Sequence, residues 1–164
     1  MSEVAEAERI VIAVEHPDKP EVRALIEELN RYLLSLYRAE DCYHLTIAEL
    51  SQPDVTFFVA RRGGKAIACG ALRRLDAAMG EVKRMFTAPE ARGAGLGRRI
   101  LQSIEAKALD DGLQSLALEA GAEQPEATAL YRSAGFAERG PFHDYRENGV
   151  SVFMEKRLGA PGPT

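Results

Sequence analysis

Apolar residues recur along the chain in two rhythms. Val22, Leu25, Ile26, Leu29, Leu33, Leu36 and Tyr37 fall three or four positions apart, the stripe of an amphipathic helix, and Asp18 and Pro20 mark its start. Leu96, Ile100, Leu101, Ile104 and Ala108 predict a second helix, which Gly112 ends. A shorter helix is predicted over residues 126–133, with Gly135 just beyond. Between these lie short β-rich runs at residues 10–14, 55–60, 66–72, 81–87, 114–119 and 151–156. The Arg-Arg-Gly-Gly-Lys turn at residues 61–65 makes the second and third runs a hairpin, while residues 39–52 are mixed, with room for a short helix. The order is β-α-(α)-β-β-β-α-β-α-β. Hairpins in the first half require antiparallel pairing, and the strand-helix-strand unit over residues 81–119 requires one parallel crossover. The expectation is an α/β fold with a mixed sheet of six or seven strands and about four helices, not a doubly wound Rossmann fold.

The 164 residues suit one domain, expected over residues 9–158 between a flexible acidic leader (1–8) and a flexible Gly/Pro tail (159–164). A net charge of -4 argues against nucleic acid or an anionic membrane as partner. No apolar run approaches the roughly 20 residues of a membrane helix. The first residues lack the basic start and apolar middle of a signal peptide, so the cytoplasm is expected. Cys42 and Cys69 are too few for a disulfide framework, and His16, His44 and His143 lack ligand spacing, so no metal is expected.

Arg92-Gly93-Ala94-Gly95-Leu96-Gly97 stands between a predicted strand and a predicted helix. Glycines let the backbone turn tightly and approach a ligand, and the helix start offers unpaired N–H groups. Arg92, Arg98 and Arg99 add positive charge. This is an anion cradle suited to a phosphate or pyrophosphate. It is not a P-loop, because Arg98 and Arg99 follow where Lys and Ser/Thr are needed, and the even glycine spacing is not that of a dinucleotide fingerprint. By itself such a loop is also compatible with a purely structural turn.

The pattern Arg92-x-x-Gly95-x-Gly97 resembles the acyl-CoA pyrophosphate loop of the GNAT superfamily of N-acetyltransferases. Residues 81–89, Glu-Val-Lys-Arg-Met-Phe-Thr-Ala-Pro, are similar to its fourth strand. Residues 124–136 are similar to its N-x-x-A-x-x-L-Y-x-x-x-G-F block, with Gln124 where Asn is usual. The resemblance covers roughly residues 55–156; the stretches 124–127, 141–142 and 151–156 are closest to bacterial members with unassigned acceptors. It implies acetyl-CoA as co-substrate. Backbone groups of Met85, Phe86 and Thr87 would pair with the pantetheine arm. The N–H groups of Gly93, Ala94, Gly95, Leu96 and Gly97, with Arg92 and Arg98, would hold the pyrophosphate. Gln124 would bond the pantetheine amide, and the fourth and fifth strands would splay to admit the thioester.

Acetyl transfer to an amine needs a neutral amine, a donor for the developing oxyanion and a proton for the leaving thiolate. By resemblance, Tyr131 is the general acid and the backbone N–H of Phe86 the oxyanion donor. Two carboxylates compete as base: Glu119, at the end of the fifth predicted strand, and Glu81, at the start of the fourth; ordered water is the third option. Tyr43, His44, Lys83, Arg84, His143 and Tyr145 are acceptor-pocket candidates, and a pocket-facing Lys83 or Arg84 would favour an acceptor carboxylate. The expected reaction is acetylation of a primary amine on a small, amino-acid-like molecule by a monomer or homodimer. The alternatives are a protein N-terminus or lysine as acceptor, and a non-catalytic acyl-CoA-binding module.

Overall fold

The computed structural model describes residues 9–42 and 45–159. The expected leader, most of the expected tail, and Tyr43 and His44 lie outside them. The elements run β1 (Ile10–Val14), α1 (Pro20–Leu36), α2 (Ile47–Leu50), β2 (Val55–Arg62), β3 (Lys65–Arg74) and β4 (Met79–Thr87). Then come α3 (Leu96–Asp110), β5 (Ser115–Gly121), α4 (Pro125–Ser133), β6 (Ala137–Arg139) and β7 (Ser151–Arg157). Helix α1 opens on Pro20, whose fixed φ suits a first turn that needs no N–H donor. Thr46 and Glu49 cap α2 reciprocally.

The strands form one seven-stranded sheet in the order β1-β2-β3-β4-β5-β7-β6. All neighbours pair antiparallel except β4 and β5, which are parallel around the α3 crossover. The mixed sheet expected from the sequence is therefore present. Its seventh strand, β6, was not among the predicted runs. It has three residues, all exposed, and no apolar alternation to betray it.

Two cores sandwich the sheet. On one face α3 seats Leu96, Ile100, Leu101 and Ile104 against Ile67, Leu72, Val82 and Leu118. On the other, α1 seats Val22, Leu25, Ile26 and Leu29 against Phe57, Val59, Cys69 and Phe86. Each such aliphatic side chain contributes about 1.5–3 kcal/mol on burial.

Strand β4 departs from regular pairing twice. Its pairing with β5 covers only Met79–Val82 against Ser115–Leu118. Beyond Val82, β4 stays with β3 as far as Thr87, and beyond Leu118, β5 stays with β7 as far as Gly121. The sheet thus splits down the middle, as expected for residues 81–87 and 114–119. The second departure is a bulge: the register moves from Cys69↔Phe86 to Ala71↔Lys83, so Arg84 and Met85 together oppose Gly70. Arg84 sits there at φ 56, in the left-handed region. The surplus residue re-phases the strand. Val82 and Met85 pack on the α3 side and Phe86 on the α1 side, while Arg84 reaches Asn30 on α1.

Candidate active site

Two cavities open at the split. The larger, about 490 Å³, runs along Met85, Phe86 and Thr87 to the glycine loop, α3 and α4. The smaller, about 100 Å³, lies between α1 and the diverging strands. They meet at four side chains common to both linings: Met85, Gln124, Ala127 and Tyr131.

The larger cavity has the form of a cradle for a long anionic ligand. Past Val82 the β4 backbone has no strand partner on the β5 side, which leaves that edge open to a guest. At the far end Gly93 (φ 87) and Gly95 (φ 74) take left-handed conformations, and a Cβ on either would meet no atom within 4 Å. Gly95 is the N-cap of α3, whose first N–H groups carry no side-chain cap. Arg92, Gly93, Gly95, Leu96, Gly97 and Arg98 all line this end. Ala94 is not among the lining residues, although it belongs to the same loop. Arg92 donates from Nε to the Thr87 carbonyl at 3.2 Å, and Arg98 donates to Ser133 Oγ.

Gln124 stands at the α4 N-cap. Its Oε1 accepts the Gly121 N–H at 3.2 Å, which leaves the amide NH₂ to be presented at the junction. Tyr131 is 6% exposed, with its ring 5.9 Å from that of Phe136. Among the described residues its hydroxyl has no hydrogen-bond partner. Burial, reinforced by the negative charge of Glu119, pushes this phenol well above its usual range, so it stays protonated.

The two candidate carboxylates stand in different places. Glu119 lines the smaller cavity, where Ser151 Oγ donates to Oε2 at 2.7 Å. Burial raises its pKa, against the lowering effect of Ser151 and Lys83. It does not end β5, which continues to Gly121. Glu81 is not the first residue of β4 and is not a solvated strand residue: it is 1% exposed and lines neither cavity. It accepts the Tyr145 hydroxyl, and Lys83 Nζ lies 3.6 Å from Oε2 and donates to Tyr145 Oη at 2.8 Å. Burial lowers the Lys83 pKa and raises that of Tyr145. Glu81, Lys83 and Tyr145 thus form a buried charged cluster behind the cavity, packed on Phe142 and Phe153.

Lys83 and Arg84 both line the smaller cavity. His143 does not; it is exposed and faces Asp144. Sequence reasoning missed Tyr37, which walls the same cavity. Its Oη accepts the Glu123 N–H at 2.9 Å and lies where a Cβ on Gly121 would be, 1.8 Å away. Tyr37 is visible in the sequence only as the last member of a helical stripe. No group of metal-ligating side chains is found among the described residues, and no described helix is long and apolar enough to cross a membrane.

Comparison with known proteins agrees with this geometry. The sequence profile described as "Acetyltransferase (GNAT) family" matches residues 20–136. The IAA acetyltransferase of Azospirillum brasilense is 49% identical over 150 residues, covering 91% of this chain and 98% of the relative. The uncharacterized N-acetyltransferase YsnE of Bacillus subtilis is 36% identical, covering 84% and 93%. A solved acyl-CoA N-acyltransferase structure from Klebsiella pneumoniae superposes with a TM-score of 0.78 at 34% identity, over 92% of this chain and 99% of that one. With a split mixed sheet, a glycine cradle at a helix start and these relatives over nearly its whole length, the chain belongs to the GNAT family and is an acetyl-CoA-using N-acetyltransferase.

Proposed function

We propose that the enzyme acetylates the primary amine of a small molecule by direct attack on the thioester, with Tyr131 as general acid and Glu119 as general base. The observation that carries this is the junction of the two cavities at Tyr131, with Glu119 on the acceptor side. The residues of the larger cavity fit acetyl-CoA: a strand edge for the pantetheine amides, Gln124 beside it, and the loop from Arg92 to Arg98 for the pyrophosphate. When bound, acetyl-CoA supplies an acyl carbon activated by a thiol leaving group.

This chain's residues manage the protons. A free alkyl ammonium has a pKa of about 10.4, so the amine arrives charged. Glu119 takes one proton, and its raised pKa makes it a stronger base than a surface carboxylate. The N–C bond forms as the C–S bond breaks. Tyr131 hands its proton to the departing sulfur. The second proton shed by nitrogen returns to Tyr131 through water, so the reaction releases one proton net. The Phe86 N–H is the proposed oxyanion donor. Glu81 supports Lys83 and Tyr145 and takes no proton from the acceptor. Cys42 lines the acceptor cavity, but burial raises its thiol pKa, which argues against a covalent acyl-enzyme.

The acceptor cavity is smaller than the roughly 150 Å³ that encloses a benzene. That size favours a small acceptor over a protein segment. The test is CoA release and product mass with acetyl-CoA and a panel of small primary amines beside peptides with free N-termini. Small amines are expected to turn over; turnover of peptides alone would replace this reading.

A further inference from the structure

Among the described residues, the acceptor cavity carries four charged side chains: Asp41, Lys83, Arg84 and Glu119. Two are neutralised within the protein. Asp41 pairs with Arg38 Nε at 3.2 Å, and Lys83 with Glu81 at 3.6 Å. Arg84 and Glu119 have no ion-pair partner among the described residues. Arg84 is 6% exposed; among the described residues its side-chain acceptor is Asn30 Oδ1, and its enclosed Nε has no partner. Glu28, on the same helix as Asn30, lies beyond ion-pair distance. Burial lowers the Arg84 pKa to about 10, which still leaves it a full cation at neutral pH. A buried cation without a counter-anion is costly, and this one is also held at φ 56, where a non-glycine residue is strained. Both costs fall on a residue that lines the cavity.

Glu119 presents the opposite charge. Among the described residues its side-chain donor is Ser151, and it stands on β5 just beyond the last residue paired with β4. Arg84 stands just past the corresponding point on β4. A cation on β4 and an anion on β5, each without an ion-pair partner among the described residues, therefore line the same cavity on the two sides of the split.

The geometry points to a zwitterionic acceptor: a short amino acid whose carboxylate is held by Arg84 and whose ammonium is delivered to Glu119 and Tyr131. This rests on the small-amine reading and narrows it to amino carboxylates. A carboxylate would take terminal N–H groups of the guanidinium that Asn30 leaves unused, while Asn30 holds it in place. The cavity volume of about 100 Å³ suits a short side chain between the charged ends.

The experiment pairs each protein amino acid, β-alanine and 4-aminobutyrate with the amine in which hydrogen replaces the carboxylate. It measures kcat and KM with acetyl-CoA for the native enzyme and for Arg84→Gln. The native enzyme is expected to favour at least one amino acid over its matched amine by about 10–100-fold in kcat/KM, the range of a charge-assisted hydrogen bond. Arg84→Gln is expected to bring that pair together, mainly by raising KM for the amino acid, with CoA affinity unaltered. If bare amines turn over as well as their carboxylated partners, the Arg84 assignment is wrong and the small-amine reading stands. Turnover of neither would overturn that reading itself. Should Arg84→Gln not fold, the native pairs alone decide.

Discussion

Replacement of Tyr131 by Phe separates catalysis from stability. The hydroxyl bonds to no described protein atom, so its loss orphans no partner. The ring keeps its packing against Phe136 at 5.9 Å and its place in the α3-side core. Folding free energy should therefore change by less than about 1 kcal/mol, in contrast to the 3–5 kcal/mol typical of an aromatic-to-alanine change in a core. Catalysis should respond differently. A general acid contributes about 10²–10⁴ in rate, which is roughly 2.7–5.4 kcal/mol of barrier at 1.36 kcal/mol per decade. That interaction is made in the transition state, so CoA affinity should stay within about twofold. The assay is single-turnover acetyl transfer to a working acceptor, with calorimetry for CoA and a urea melt beside it. The expected pattern is a rate loss of at least two decades with unchanged Kd and unchanged melt. A single-turnover rate within threefold of native would refute the assignment and leave thiolate departure to water.

Gly95→Val places a β-branched side chain at φ 74 and projects it into the open groove, so CoA Kd should rise by about tenfold or more in calorimetry. An unchanged Kd in a folded variant would move the pyrophosphate elsewhere. Gly121→Ala would put a methyl 1.8 Å from Tyr37 Oη, so a loss of about 1–3 kcal/mol is expected in a denaturant melt, with Tyr37 displaced and bulkier amines admitted. Glu119→Gln should abolish the acidic limb of the kcat/KM–pH profile. Because burial raises the folded pKa of Glu119 above its unfolded value, the native carboxyl contributes stability below the unfolded pKa that is lost as pH rises through the folded one. Glu119→Gln should therefore gain stability relative to native at pH 7 but not at pH 3, and a melt difference of the opposite sign would contradict a buried Glu119.

The elements with regular apolar spacing were legible in the sequence. The stripes of α1 and α3 and the hairpin of β2 and β3 need only local periodicity to be seen. The place of the glycine loop between a strand and a helix was legible from the periodic elements on either side of it, although such a loop alone is also compatible with a structural turn. The exposed β6 was not, since it owes its pairing to β7 rather than to its own residues. The bulge was invisible for a related reason. Strict alternation would send Lys83 and Arg84 to opposite faces, whereas both line the acceptor cavity because Arg84 occupies a surplus position. Nor does any local pattern reveal that Glu81 is sealed behind Tyr145, 64 residues away. The carboxylate that reads as exposed at a strand start is buried by a distant loop.

The junction of the two cavities also makes the enzyme divisible. Leu29 and Leu33 on α1, with Tyr37 just past its end, line the smaller cavity and none of the larger one, while the glycine loop lines the larger alone. Among the described residues, four side chains line both. Mutations in the first set can exchange one clientele for another across generations without rebuilding the donor half. A lineage using this scaffold can diversify by redecorating the Leu29–Leu33 face of α1 and leaving Tyr32 and the junction untouched.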